Sequence, residues 1–125
     1  MSRRARVEIT HNFERNLDEI DQFLADHDTP ATFPALLDEV LETLGPNLER
    51  FPDLGADFLA RPPQSVQGAA RIDRLRGRLG RATTLREYIA GDYLILYATR
   101  DAQVWLLAIR HHKQLSYDLR MHWVR

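Results

Sequence analysis

The spacing of hydrophobic positions changes along the chain, and each change predicts an element. Val7 and Ile9 alternate with Arg6, Glu8 and Thr10, the period of a short half-buried strand. The period then lengthens: Phe13, Leu17, Ile20 and Leu24 recur at helical spacing behind Asn12, a candidate N-cap. Glu14, Asp18, Glu19 and Asp21 fall on the other, solvated side of that helix. His27-Asp28-Thr29-Pro30 interrupts it. A second helix follows, with Leu36, Leu37, Val40, Leu41 and Leu44 on its buried side and Gly45-Pro46 as its stop. So short a break between two helices predicts an antiparallel hairpin.

Regularity lapses in residues 45–68, which hold Pro46, Pro52, Pro62, Pro63, Gly45, Gly55 and Gly68 and read as a loop insertion with one helical turn near Leu48–Phe51. Residues 69–81, AARIDRLRGRLGR, are rich in arginine, and Gly77 and Gly80 leave helix and extended chain both open. The last third is strongly patterned. LREYIAGDYLILYATRDAQVWLLAIR predicts strands at 84–90, 93–98 and 103–110, with turns at Gly91-Asp92 and Thr99–Ala102. A two-residue turn at Gly91-Asp92 sets Ala90 against Tyr93, Tyr88 against Ile95 and Arg86 against Tyr97. Carried through the second turn, the register sets Tyr97 against Val104, Ile95 against Leu106 and Tyr93 against Ala108. One face is then Leu85, Ile89, Leu94, Leu96, Trp105, Leu107 and Ile109 with Glu87 at its margin, the face expected under the helices. The other gathers Arg86, Tyr88, Tyr93, Tyr97 and Arg110 around Ile95, Val104, Leu106 and Ala108. Leu115, Leu119 and Trp123 repeat every four residues, which predicts a short C-terminal helix near Tyr117. The fold class is therefore α/β in the α+β sense. An N-terminal strand and an antiparallel helical hairpin pack on a three-stranded antiparallel meander, and a short C-terminal helix closes the chain.

Composition narrows the function classes. The chain has 125 residues, 44% of them hydrophobic, which fits a single domain over 1–125. No apolar run approaches the ~20 residues of a membrane span, and MSRRARVEIT is followed by no apolar core of a secretory signal. There are no cysteines, so disulfides, thiolate metal sites and thiol nucleophiles drop out, in keeping with a cytoplasmic protein. A net charge of −1 conceals a polarity: residues 1–60 carry 5 Arg and 13 acids, a balance of −8, and residues 61–125 carry 11 Arg, 1 Lys and 5 acids, a balance of +7. The basic half suits phosphate or an acidic partner. The predominance of arginine has an ordinary cause in a GC-rich coding sequence, beside the functional one that guanidinium grips phosphate bidentately.

The chemistry-bearing residues converge on the second sheet face and its end. Cleavage of RNA without metal needs a group to deprotonate the 2′-hydroxyl, a cation for the phosphorane and an acid for the leaving oxygen. Arg86 and Arg110 suit the cation, and His111 or His112 the proton transfers. Tyr88, Tyr93, Tyr97 and Tyr117 suit base stacking, with Arg78 and Arg81 as further phosphate contacts. The same residues also have an ordinary reading. Tyrosines pack well in strands, Arg86 against Tyr97 is an unremarkable cross-strand pair, and adjacent histidines on a strand point to opposite sides. The five histidines show no metal-ligand spacing, and there is no phosphate loop or nucleophile elbow, so neither metal nor cofactor is expected.

With VEITHNFERNLDEIDQFL, LREYIAGDYLILYAT and VWLLAIRHHKQLSYD in this order, the chain resembles toxins of the RelE/ParE superfamily, the growth-arresting halves of type II toxin–antitoxin modules. The resemblance spans nearly the whole chain and implies a cognate antitoxin, a toxin–antitoxin hetero-oligomer and one of two actions. RelE-like members cut mRNA on the ribosome without metal; on that model Arg86, Arg110, His111 or His112 and Tyr117 fall where functional groups are kept. ParE-like members share the fold and poison DNA gyrase without that chemistry. The sequence departs from many nucleases in having Leu94, not arginine, after Tyr93. Ribosome-dependent cleavage is the first expectation and gyrase inhibition the alternative. Membrane association is not expected.

Overall fold

The computed structural model describes residues 5–26, 32–57, 74 and 83–112. Strand β1 (Arg6–Ile9) alternates between exposed Arg6 and Glu8 and half-buried Val7 and Ile9, as its pattern predicts. Helix α1 (His11–Asp26) buries Phe13, Leu17 and Leu24 and exposes Glu14, Asp18, Glu19 and Asp21. Its N-cap is Thr10 and not Asn12. The Phe13 N–H donates to the Thr10 hydroxyl at 3.3 Å, and the Glu14 N–H donates to the Thr10 carbonyl at 3.1 Å. Both residue types cap helices; the cap is the one at which the chain leaves the strand.

The second helical stretch is longer than its sequence predicts. Helix α2 (Thr32–Asp38) continues through a π-helical segment (Glu39–Leu44) into α3 (Gly45–Arg50), so Gly45-Pro46 is not a stop. The Gly45 N–H reaches back five residues to the Val40 carbonyl. Proline lacks an N–H and its ring crowds the carbonyl four residues earlier, so a widened turn just before Pro46 lets the helix run on. The wider turn also sets which residues face inward. Leu36, Val40, Leu44 and Leu48 are buried at intervals of four, whereas Leu41, expected inside, is 57% exposed.

Strands β2 (Ala56–Asp57), β3 (Thr84–Ala90), β4 (Tyr93–Arg100) and β5 (Gln103–His111) join β1 in one five-stranded sheet of order β1-β5-β4-β3-β2. The meander is present, extended by parallel β1 on one edge and two-residue β2 on the other. Its first hairpin has the predicted register: Ala90 pairs with Tyr93, Tyr88 with Ile95 and Arg86 with Tyr97. Gly91 has φ +60°, a conformation that glycine adopts without a Cβ penalty.

The second hairpin differs. Its turn is Asp101-Ala102 alone, because Arg100 pairs with Gln103, and Tyr97 therefore faces Leu106 rather than Val104. The pairing then slips by one at a β-bulge, so that Ile95 faces Ile109, Leu94 faces Arg110 and Tyr93 faces His111. Beyond the bulge, Ile109 and Arg110 have exchanged the faces expected of them.

The helices also lie on the other face of the sheet from the one expected. Phe13, Leu17, Leu36, Val40, Leu44 and Leu48 form one cluster with Ile95, Tyr97, Val104, Leu106 and Ile109, and Tyr88 and Tyr93 pack against it. Leu85, Leu96, Trp105 and Leu107 of the opposite face are buried too, outside that cluster, while Ile89 is 68% exposed. With both faces apolar, the alternation separates the faces without saying which one the helices take; the tyrosine hydroxyls had marked the wrong one as open. The predicted C-terminal helix lies outside the described residues. No helix among the described residues is long and apolar enough to cross a membrane.

Candidate functional site

The residues expected to form one site divide between two places on the sheet. The first is its middle. Tyr97 is fully buried on β4, and its hydroxyl donates to the Pro52 carbonyl and accepts from the Gly55 N–H, each at 2.8 Å. Its cross-strand partner Arg86 donates from Nη1 to the Gly55 carbonyl at 2.7 Å and to the Asp53 carbonyl at 3.4 Å. Arg86 Nε lies 3.3 Å from Asp53 Oδ1, an ion-pair distance without hydrogen-bond alignment. The two side chains thus pin residues 52–55, the approach to β2, onto the sheet. Gly55 is required by the fit: a Cβ there would meet the Glu87 carbonyl at 2.7 Å and Tyr97 Cε1 at 2.8 Å. Burial pushes the Tyr97 phenol above its ordinary value, and the Gly55 hydrogen bond and Arg86 only partly offset this.

The second place is the end of the sheet beside the Gly91-Asp92 turn. Tyr93 and the His111 ring meet edge to face with centroids 5.4 Å apart, and the His111 and His112 rings lie 4.4 Å apart, tilted by 30°. The two imidazoles therefore sit side by side, contrary to the expectation that adjacent rings diverge; β5 ends at His111, and His112 no longer follows the strand's alternation. The His112 N–H donates to the Asp92 carbonyl at 2.9 Å, and His112 Nε2 lies 3.9 Å from Asp92 Oδ1. Burial, with the Asp92 charge second, raises the Tyr93 pKa. Arg110 stands on the opposite face, opposite Leu94, with Nη1 3.5 Å from the His111 carbonyl.

The two places are separated. Tyr93 and Tyr97 lie four residues apart on β4, about 13 Å at ~3.3 Å per residue. Arg86 on β3 and His111 on β5 are on either side of that strand. Tyr88 is half-buried against the helix cluster. Tyr117, Arg78 and Arg81 lie outside the described residues. Among the described residues no group of three or more His, Asp or Glu could hold a metal ion.

Sequence reasoning missed three functional elements of the geometry: Gly55 and the Pro52 and Asp53 carbonyls, which consume Arg86 and Tyr97; Asp92, the neighbour of His112; and the bulge that places His111. Only Asp92, next to the turn glycine, left a local signal. A search of curated proteins returned no match to the chain. The family profile described as the ParE toxin of type II toxin–antitoxin systems, parDE, matches residues 7–116, from β1 through β5 and beyond. The five-stranded sheet with helices on the Tyr97 face is thus the body of a toxin whose family implies a cognate antitoxin, and the chain belongs to the ParE toxin family of type II toxin–antitoxin systems.

Proposed function

We propose that this toxin arrests growth by binding its target rather than by cutting RNA, and that the target is DNA gyrase. The observation that carries the reading is the separation of the groups that metal-free RNA cleavage needs at one phosphate. Arg86 is engaged with Asp53 and Gly55, Tyr97 is buried with its hydroxyl hydrogen-bonded within the chain, and Arg110 and His111 stand on opposite faces. Charge stabilisation and proton transfer act on one transition state only when their groups are within hydrogen-bond reach of it. ParE membership points the same way. The test is induced expression with separate labels for DNA and protein synthesis, followed by supercoiling with purified gyrase. DNA synthesis should stop first, and the His111→Gln/His112→Gln double variant should remain toxic.

A second reading, mRNA cleavage on the ribosome, is favoured by one observation: two imidazoles side by side, that of His111 against Tyr93, with Arg110 one residue away. On that reading His111 and His112 transfer the protons, Arg110 meets the phosphorane charge, and Tyr88, Tyr93 or Tyr117 places the nucleotide. Protein synthesis would then stop first, and the double variant would lose toxicity by roughly 10²–10⁴-fold. On either reading we expect an acidic antitoxin segment to meet the basic half of the chain, with an affinity that falls as salt rises. Arg86 and Arg110 stand on opposite faces of the sheet.

A further inference from the structure

Strand β5 loses its outer neighbour where β1 ends at Ile9, opposite Leu106, yet it continues to His111. Side chains take over the edge. The Thr10 hydroxyl donates to the Leu106 carbonyl at 2.8 Å, Asn12 Nδ2 donates to the Leu107 carbonyl at 2.9 Å, and Asn16 Oδ1 accepts from the Ile109 N–H at 3.1 Å. Asn12 Nδ2 also reaches Asn16 Oδ1 at 3.4 Å, which ties the two amides together. All three residues are buried, Thr10 as the cap of α1 and Asn12 and Asn16 on the inner side of that helix with Phe13 and Leu17.

These contacts bracket the bulge. Leu106 pairs with Tyr97 and Ala108 with Leu96, so Leu107 is the residue left over. Had the Tyr97–Leu106 register continued unbroken, Tyr93 would face Arg110. The bulge puts His111 there instead. Bulges commonly re-aim side chains next to functional sites, and this one is held by amides rather than by a strand.

We propose that Asn12 and Asn16 are positioning residues: by holding the bulge at Leu107 they decide that His111, and not Arg110, stands beside Tyr93, and so aim the end of the sheet with which the toxin engages its target. The inference rests on the proposed toxin action, to which it adds that this end of the sheet, where Tyr93 and the two histidines meet, faces the target. A target surface tolerates a polar substitute for imidazole but not a register slip that puts the Arg110 guanidinium in its place beside Tyr93. Substituting glutamine for both histidines and moving them are therefore different experiments.

The test uses the full chain in two variants. Asn16→Leu removes the acceptor for the Ile109 N–H, and Asn16→Asp keeps it. The first readout is the nuclear Overhauser contact between the His111 and Tyr93 rings, which does not depend on the toxin's target. The second is growth arrest on induction. Asn16→Leu should fold, lose the ring contact and arrest growth roughly tenfold less, the scale on which a contact residue matters; Asn16→Asp should restore both. Should Asn16→Leu not fold, Asn12→Ser, too short to reach the Leu107 carbonyl, takes its place with the same readouts. A folded variant that keeps the ring contact overturns the positioning role. One that loses the contact with growth arrest intact overturns the assignment of this end as the working one, whichever target the labelling experiment identifies. Loss of arrest in Asn16→Leu and Asn16→Asp alike, with the contact kept, overturns the inference as a whole.

Discussion

Two regions of one sheet each set a tyrosine beside a nitrogen-bearing side chain and use it differently. At the middle, Arg86 and Tyr97 are turned to the chain itself, bound to the carbonyls of residues 52–55. At the end, His111 lies between Tyr93 and His112 and contacts both rings, with the His112 side chain 50% exposed. Residue type and strand position do not separate the two cases. What separates them is whether another segment of chain arrives to satisfy the polar atoms, because a buried phenol or guanidinium is kept only where it is hydrogen-bonded.

The comparison breaks first at Gly55. If the middle is a structural clamp, Gly55→Ala must force the Glu87 carbonyl or the Tyr97 ring to move, since the new methyl would lie under 3 Å from both. Denaturant unfolding should show a loss of about 3 kcal/mol, at the upper end of what overpacking costs. Near-neutral stability would mean that residues 52–55 are not clamped. Tyr97→Phe comes next. It leaves the ring in place but strips the Gly55 N–H of its acceptor and the Pro52 carbonyl of its donor, a loss of about 1–3 kcal/mol. Toxicity per folded molecule should not change. A stable Tyr97→Phe protein that has lost toxicity would return Tyr97 to the working site.

Alkaline pH sharpens the same point. Burial holds the Tyr97 phenol above the ordinary value near 10, so the unfolded chain gives up its proton first. The unfolded state then binds fewer protons than the native one, and stability falls as pH rises past about 10 and through the raised native value. The contribution is intact below pH 10. The stability gap between the wild type and Tyr97→Phe should therefore narrow in that window, as measured by urea unfolding from pH 8 to 11. A constant gap would mean that the phenol titrates alike in both states.

The elements of the fold were legible in the sequence where local pattern decides, and illegible where chain remote in sequence does. The alternation of Val7 and Ile9, the spacing of Phe13, Leu17 and Leu24, and the Gly91-Asp92 hairpin are local, and each stands in the structure. The bulge at Leu107 is not local: it is bracketed by hydrogen bonds from Asn12 and Asn16, more than 90 residues earlier. It alone exchanges Ile109 and Arg110 between faces. The choice of face for the helices was hidden for a related reason. A tyrosine on a strand reads as tolerant of solvent until the partner of its hydroxyl is known, and Pro52 and Gly55 lie 45 and 42 residues from Tyr97. Of the candidate site, the end bearing His111 and His112 was readable as a place, but its geometry was not.

The smallest expected effect on stability is at that end, and it bears most directly on function. His112 meets Asp92 at 3.9 Å with both side chains at least half exposed, so screening leaves the pair worth no more than about 0.5 kcal/mol. The His111–Tyr93 edge contact is also partly solvated. The His111→Gln/His112→Gln double variant should therefore unfold within about 0.5 kcal/mol of the wild type, as surface substitutions usually do. With stability held, any change in growth arrest reports on the rings themselves. Glutamine retains hydrogen-bonding capacity but cannot move a proton near neutral pH, so a binding toxin keeps its effect and a nuclease loses it. If the double variant is as stable as the wild type yet inert, and protein synthesis is what the wild type stops, the end of the sheet is a catalytic site. Binding then fails as the account of this toxin, while the clamp at Arg86 and Tyr97 stands unchanged.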